Sequence, residues 1–113
     1  NVLLVTGHLP HREVAEALNE ALLEKALREA HRLAGLSLRK GQKPRIALLG
    51  LNPHAGEERL LGSEEAQIFQ PMLAKLKSSL SISGPLVPDA AFLKDNWKKY
   101  DVFVAPYHDQ GLI

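Results

Sequence analysis

Short apolar runs alternate along this chain with longer stretches of helical period. Val2-Leu3-Leu4-Val5-Thr6, Ile46-Ala47-Leu48-Leu49-Gly50-Leu51 and Val102-Phe103-Val104-Ala105 are flanked by residues that break structure, which predicts buried strands over 2–6, 45–51 and 101–105. Between the first two, Val14, Leu18, Leu22, Ala26, Ala30 and Leu33 recur at threes and fours and form one apolar stripe. Glu20, Glu24, Lys25, Arg28, Glu29 and Arg32 lie between them as a solvated face. Pro10 suits the first turn of this helical region, and Glu13 has the sign the helix dipole favours there. Asn19 divides the region into a short helix and a longer one, which Gly35 or Gly41 ends. Ser63-Glu64-Glu65 opens a further helix with Ser63 as N-cap and Ile68, Met72 and Leu76 on its inner face. Pro71 fits poorly in the middle of that helix and predicts a break or kink. Residues 78–83 form a weaker strand pattern, Gly84-Pro85-Leu86-Val87-Pro88 a rigid loop, and residues 90–98 a short helix. Strands alternating with helices indicate an α/β layered domain with at least partly parallel pairing.

Composition narrows the choice of chemistry. With 113 residues, 45% of them hydrophobic, the chain is long enough for one domain with a core. A net charge of +1 gives no reason to expect nucleic acid or an anionic membrane as partner. The absence of cysteine excludes disulfides and thiolate ligands, so a transition metal here would rely on imidazole and carboxylate. No apolar run approaches the roughly 20 residues of a membrane span and no signal peptide is visible, which fits a cytoplasmic location. The chain enters a strand directly after Asn1 and stops at Gly111-Leu112-Ile113, and it is read as an internal piece of a longer protein.

Three histidines follow three strands. His8 comes after the first, His54 lies in Asn52-Pro53-His54-Ala55-Gly56-Glu57 after the second, and His108 follows Pro106-Tyr107 after the last. Pro53 fixes its own φ and pushes Asn52 towards an extended conformation, while Gly56 permits a sharp turn. Open α/β sheets keep their ligands beyond the carboxyl ends of their strands, so the three histidines are candidates for one metal site. Three imidazoles leave a coordination position open, the pattern of a catalytic divalent ion; zinc suits imidazole, whereas Mg²⁺ wants more oxygen. The plainer reading is that each histidine caps a strand or binds a backbone carbonyl. His11 and His31 lie in helical sequence among charged residues and are expected to be exposed. Asp109 is placed to orient a neighbouring imidazole or complete a metal site; if the segment is extended, only one of His108 and Asp109 faces the ion. Asp89 is a second carboxylate candidate, against a simpler role as a turn residue bonding its own backbone. Of the acidic group Glu57, Glu58, Glu64 and Glu65, only Glu57 is close enough to His54 in sequence to be a site candidate, the others reading as solvated or helix N-terminal charges. No glycine-rich phosphate loop occurs, so no cofactor-binding residue is assigned within this segment.

Thr6-Gly7-His8-Leu9-Pro10, Gly50-Leu51-Asn52-Pro53-His54-Ala55-Gly56-Glu57 and Tyr107-His108-Asp109-Gln110-Gly111-Leu112 resemble, in order, the three histidine motifs of the 4-hydroxythreonine-4-phosphate dehydrogenase family. Gly62 with Glu64-Glu65, Gly84-Pro85-Leu86, and Asp89 with Phe92 are similar to further landmarks of that family. The resemblance implies that residues 1–113 are a single α/β segment, the central metal-binding and dimerisation region of a longer two-domain enzyme. Its implied fold is isocitrate/isopropylmalate dehydrogenase-like, with a mixed sheet flanked by helices. It further implies that His8, His54 and His108 bind a divalent metal (Zn²⁺, Mg²⁺ or Co²⁺) at the interface of a homodimer; Asp109 and Asp89 are assigned supporting catalytic roles from their positions in the sequence. The implied reaction is NAD- or NADP-dependent oxidation of 4-phosphohydroxy-L-threonine followed by decarboxylation to 3-amino-2-oxopropyl phosphate, on the way to pyridoxal phosphate.

The chain departs from the family pattern at Glu58-Arg59, where two glycines are usual, at Ala90 in place of threonine, and at His11 in place of leucine. Three alternatives stand beside the resemblance: a dehydrogenase of another phosphorylated hydroxy acid, a three-histidine metal-dependent hydrolase or lyase, and a non-catalytic dimerisation module.

Overall fold

A computed structural model of the chain describes residues 2–38, 41–52, 62–93 and 98–111, with the side chains of 89 and 90 excepted. The elements run β1 (Val2–Leu4), α1 (His11–Ala17), α2 (Glu20–Gly35), β2 (Arg45–Leu49), a π-helical turn (Glu65–Phe69), α3 (Gln70–Leu76), β3 (Ser81–Leu86), α4 (Pro88–Ala91), β4 (Val102–Ala105) and the helical turn α5 (His108–Gly111). The strands form one sheet in the order β1-β4-β2-β3. Every pairing among them is parallel, in registers such as Leu3 with Val104, Ile46 with Val102 and Ile82 with Ile46. The sheet of the described residues is therefore parallel rather than mixed, because each strand is returned to the same edge by an intervening crossover.

Parallel strands covered on both faces read as continuous apolar runs, and β2 and β4 do so for that reason. Ile46, Leu48, Val102 and Val104 point to one face, where α2, the π turn and α3 supply Leu23, Leu27, Phe69, Met72 and Leu76. The alternate residues Ala47, Leu49, Phe103 and Ala105 pack on the other face with Ala91, Phe92 and Tyr100. Helices on both faces put the strand ends, rather than the sheet surfaces, within reach of a ligand.

Asn19 does divide the first helical region: its side chain accepts from the Leu22 amide at 2.8 Å and caps α2. Restarting the helix resets its phase. The buried positions of α2 are Leu23, Ala26, Leu27, Ala30 and Ala34, while Leu33, expected on the stripe, is 42% exposed. Pro10 sits at the N-cap position of α1 rather than within its first turn. The break anticipated at Pro71 takes the form of the π turn, whose wider loop ends with the Gln70 amide bonded to the Glu65 carbonyl. Because that turn adds a residue, Phe69 rather than Ile68 is fully buried ahead of Met72. Ser63 precedes the turn, and its carbonyl, not its side chain, takes the Gln67 amide at 2.8 Å.

The stretch Gly84-Pro85-Leu86, read as loop, belongs to β3. The register slips there, since Ala47 faces Ser83 but Leu49 faces Leu86. Gly84 adopts φ +147°, and a Cβ at this position would lie 2.4 Å from the Leu48 carbonyl oxygen, so the bulge requires glycine. The short helix expected over 90–98 begins earlier, at Pro88. At the opposite edge of the sheet Arg45 and Asp101 join the starts of β2 and β4 through the Arg45 amide, 2.7 Å from Asp101 Oδ2, and two guanidinium contacts at 3.3 Å.

Candidate metal centre

All four strands end at one edge of the sheet, and the segments that follow them carry His8, Asn52, Asp89 and His108. The β1–β4 ladder continues beyond the strands, with the Val5 amide on the Ala105 carbonyl at 2.8 Å and the Thr6 amide on that of Pro106 at 3.2 Å. The buried Thr6 hydroxyl also donates to the Pro106 carbonyl at 2.6 Å. These bonds lock the segment leading to His8 against the one leading to His108. The two imidazole rings meet with centroids 4.6 Å apart and planes inclined at 43°. His8 is exposed and His108 half-buried.

His108 opens a helical turn, so the expectation of an extended segment does not hold. Asp109 still reaches its neighbour: His108 Nδ1 lies 3.0 Å from Asp109 Oδ1. A carboxylate only accepts, so in the neutral imidazole this contact places the proton on Nδ1 and the lone pair on Nε2. Asp109 Oδ2 lies 3.4 Å from His11 Nε2, and the two histidines hold the Asp109 carboxyl below the usual range, the His108 hydrogen bond first. His11 is exposed as expected and also packs edge-on to Tyr107, with centroids 5.1 Å apart. A cleft of about 210 Å³ beside this group is lined by His11, Val14, Ala15, Leu51, Asn52 and Tyr107.

His54 and Glu57 lie outside the described residues, as do Glu58 and Arg59; Asp89 falls in α4, its side chain outside what is described. Among the described residues no three metal-ligating side chains converge. His31, expected to be exposed, is half-buried, and its Nδ1 is buried with no hydrogen-bond partner among the described residues. It stands one turn beyond Leu27, at the margin of the buried stripe, which its charged neighbours concealed.

Two buried polar groups were not singled out from the pattern. Glu65 is 4% exposed, and its carboxylate takes the Asn52 backbone amide at 2.6 Å and Asn52 Nδ2 at 2.9 Å. Glu65 is thus no solvated charge, because Asn52 supplies the donors that make its burial tolerable. Half-buried Glu64 also accepts from Asn52 Nδ2, at 2.6 Å. Gln110 is 2% exposed and donates from Nε2 to the Gly50 carbonyl at 2.6 Å. The only signals in the sequence were the landmark positions Gly62, Glu64 and Glu65 and the third histidine motif itself.

The model of the family "Pyridoxal phosphate biosynthetic protein PdxA" matches residues 1–113. The chain belongs to the PdxA family. It is 47% identical to 4-hydroxythreonine-4-phosphate dehydrogenase of Xylella fastidiosa over 98% of its own length and 34% of that protein. The corresponding enzyme of Xanthomonas oryzae is 48% identical, with the same coverage. The chain thus spans about a third of the length of these curated relatives. Among solved structures, 4-hydroxythreonine-4-phosphate dehydrogenase from Klebsiella pneumoniae superposes with a TM-score of 0.90 at 37% identity, covering 98% of this chain and 33% of that one. A terephthalate 1,2-cis-dihydrodioldehydrogenase from Burkholderia xenovorans superposes with a TM-score of 0.81 at 32% identity, covering 98% of this chain and 35% of that one. The solved structures that superpose on this segment thus carry two different dehydrogenase names.

Proposed function

We propose that this PdxA segment is the central, metal-binding part of a longer enzyme that oxidises 4-phosphohydroxy-L-threonine with NAD⁺ or NADP⁺ and releases CO₂, giving 3-amino-2-oxopropyl phosphate. The observation that carries the reading is the close pairing of His8 with His108 in a chain that matches the PdxA family throughout. The dehydrogenase names of the relatives favour oxidation over the hydrolase, lyase and non-catalytic readings.

The donor set fits a divalent ion. His8 and His108 are near enough to share one, Asp109 leaves the Nε2 of His108 available, and His54 follows Asn52 closely in sequence. A divalent cation held by His8 and His108 would supply Lewis acidity to the oxygen of the reacting hydroxyl and, later, to the developing negative charge of decarboxylation. The chain's own part is to bind and orient. Thr6 and Pro106 fix the spacing of the two strand-end segments, and Asp109 fixes the tautomer of His108. The cleft lined by His11, Leu51, Asn52 and Tyr107 offers a walled space beside the imidazoles. The enzyme works as a homodimer with the metal site at the interface, for which the exposed side of His8 leaves room. No helix among the described residues is long and apolar enough to cross a membrane.

The test is metal content and activity of the full-length enzyme. His8→Ala, His54→Ala and His108→Ala should each abolish stoichiometric metal binding and metal-dependent NAD(P)⁺ reduction, whereas His31→Ala should retain both. Full metal affinity in His54→Ala refutes the three-histidine assignment, and activity undiminished by complete chelation refutes the metal's part in the reaction.

A further inference from the structure

We infer that Glu65 is a positioning residue for the histidine segment that follows β2, fixing the point at which that segment leaves the sheet. The inference rests on the three-histidine reading above. Three observations converge on it. First, Glu65 is a carboxylate with 4% exposure and, among the described residues, no cationic partner; its hydrogen bonds go to the backbone amide and side-chain amide of Asn52. Burying a carboxylate without a countercharge is costly, and a bidentate grip on one residue is a strong geometric constraint. Second, Asn52 is the residue immediately before Pro53-His54, so the constraint acts two positions from the candidate ligand. Third, Gly62 closes on the same side chain. A Cβ at Gly62 would lie 2.3 Å from Asn52 Cγ, and Gly62 holds φ +133°. The departure of the segment at Asn52 and its return at Gly62 are therefore brought together on one amide, which Glu64 and Glu65 hold from the other side.

The π turn begins at Glu65 itself. Wider turns of this kind are frequent at functional sites, since they displace one residue from the regular helical face. Here the displaced register leaves Glu65 buried towards Asn52 while Phe69 fills the core beneath. Glu65 needs no contact with substrate or metal to matter. It holds Asn52, where the segment departs, against Gly62, where it returns, and outer partners of this kind commonly change metal affinity by about 10- to 100-fold when altered.

The test uses the full-length enzyme with Co²⁺ as probe, reading Co²⁺ affinity, the visible absorption of the bound ion and thermal unfolding of the metal-free protein. Glu65→Gln keeps the volume but sets an amide donor against the Asn52 donors. It should weaken Co²⁺ binding by about 10-fold and alter the absorption envelope. Arg45→Ala, which loosens the opposite edge of the sheet, should lower the unfolding temperature with Co²⁺ affinity and spectrum unchanged. If Glu65→Gln does not fold, Asn52→Ala carries the test, because it removes the side-chain half of the grip and should shift affinity in the same direction. Wild-type affinity and spectrum in a folded Glu65→Gln or Asn52→Ala, alongside lost binding in His54→Ala, overturns the positioning role alone. Unchanged affinity in His54→Ala overturns the metal reading and this inference with it.

Discussion

Gln110 donates from Nε2 to the carbonyl oxygen of Gly50 at 2.6 Å, joining the turn that carries His108 to the end of β2. Gly50 in turn gives its amide to the Leu86 carbonyl at 2.8 Å, so three strand ends are tied in series. The bond is buried, and deleting the donor leaves the Gly50 oxygen without it. Gln110→Leu should therefore cost about 2 kcal/mol. Denaturant unfolding of the full-length protein measures this, and a loss below about 0.5 kcal/mol would show that the oxygen finds another partner.

Asp109 acts on His108 through the 3.0 Å contact at Nδ1. Asp109→Asn keeps the shape but removes the charge that favours a protonated Nδ1. Turnover of the full-length enzyme at saturating metal should fall about 10-fold, with a smaller change in metal occupancy. Equal losses in both would mean that Asp109 itself ligates the ion.

Gly84→Ala places a methyl group against the Leu48 carbonyl in a backbone conformation that only glycine adopts readily. The expected destabilisation is about 2 kcal/mol, seen as a lower denaturant midpoint. An unchanged midpoint would mean that the bulge of β3 relaxes without strain.

The Arg45 guanidinium and amide hold the Asp101 carboxyl below its usual value. A depressed folded-state pKa contributes stability that is present above the unfolded value of about 3.9 and lost as pH falls through the folded value. Wild-type protein should thus lose more stability than Asp101→Asn as pH is lowered below about 4. The difference at neutral pH should be small, about 0.5–1 kcal/mol, because the pair is partly exposed and water screens it. Parallel acid limbs for the two proteins would show that the pair contributes nothing.

The sequence by itself determined the alternation of elements and the three motifs. The continuous apolar runs of β2 and β4, the division at Asn19 and the interruption at Pro71 are local effects, written in side-chain polarity and backbone chemistry within a few residues. The places of His8 and His108 after their strands were legible for the same reason. Their approach to 4.6 Å was not, since it depends on β1 and β4 being neighbours in the sheet, a pairing between chain ends that no local pattern encodes. Only the tertiary structure decided that the sheet is parallel, that β3 bulges through Gly84 against Leu48, and that Glu65 is buried rather than solvated. The last shows the physical reason most clearly. A glutamate reads as surface charge until the fold brings it donors from far along the chain, and Asn52 supplies them only once β2 and the π turn are packed on the same core.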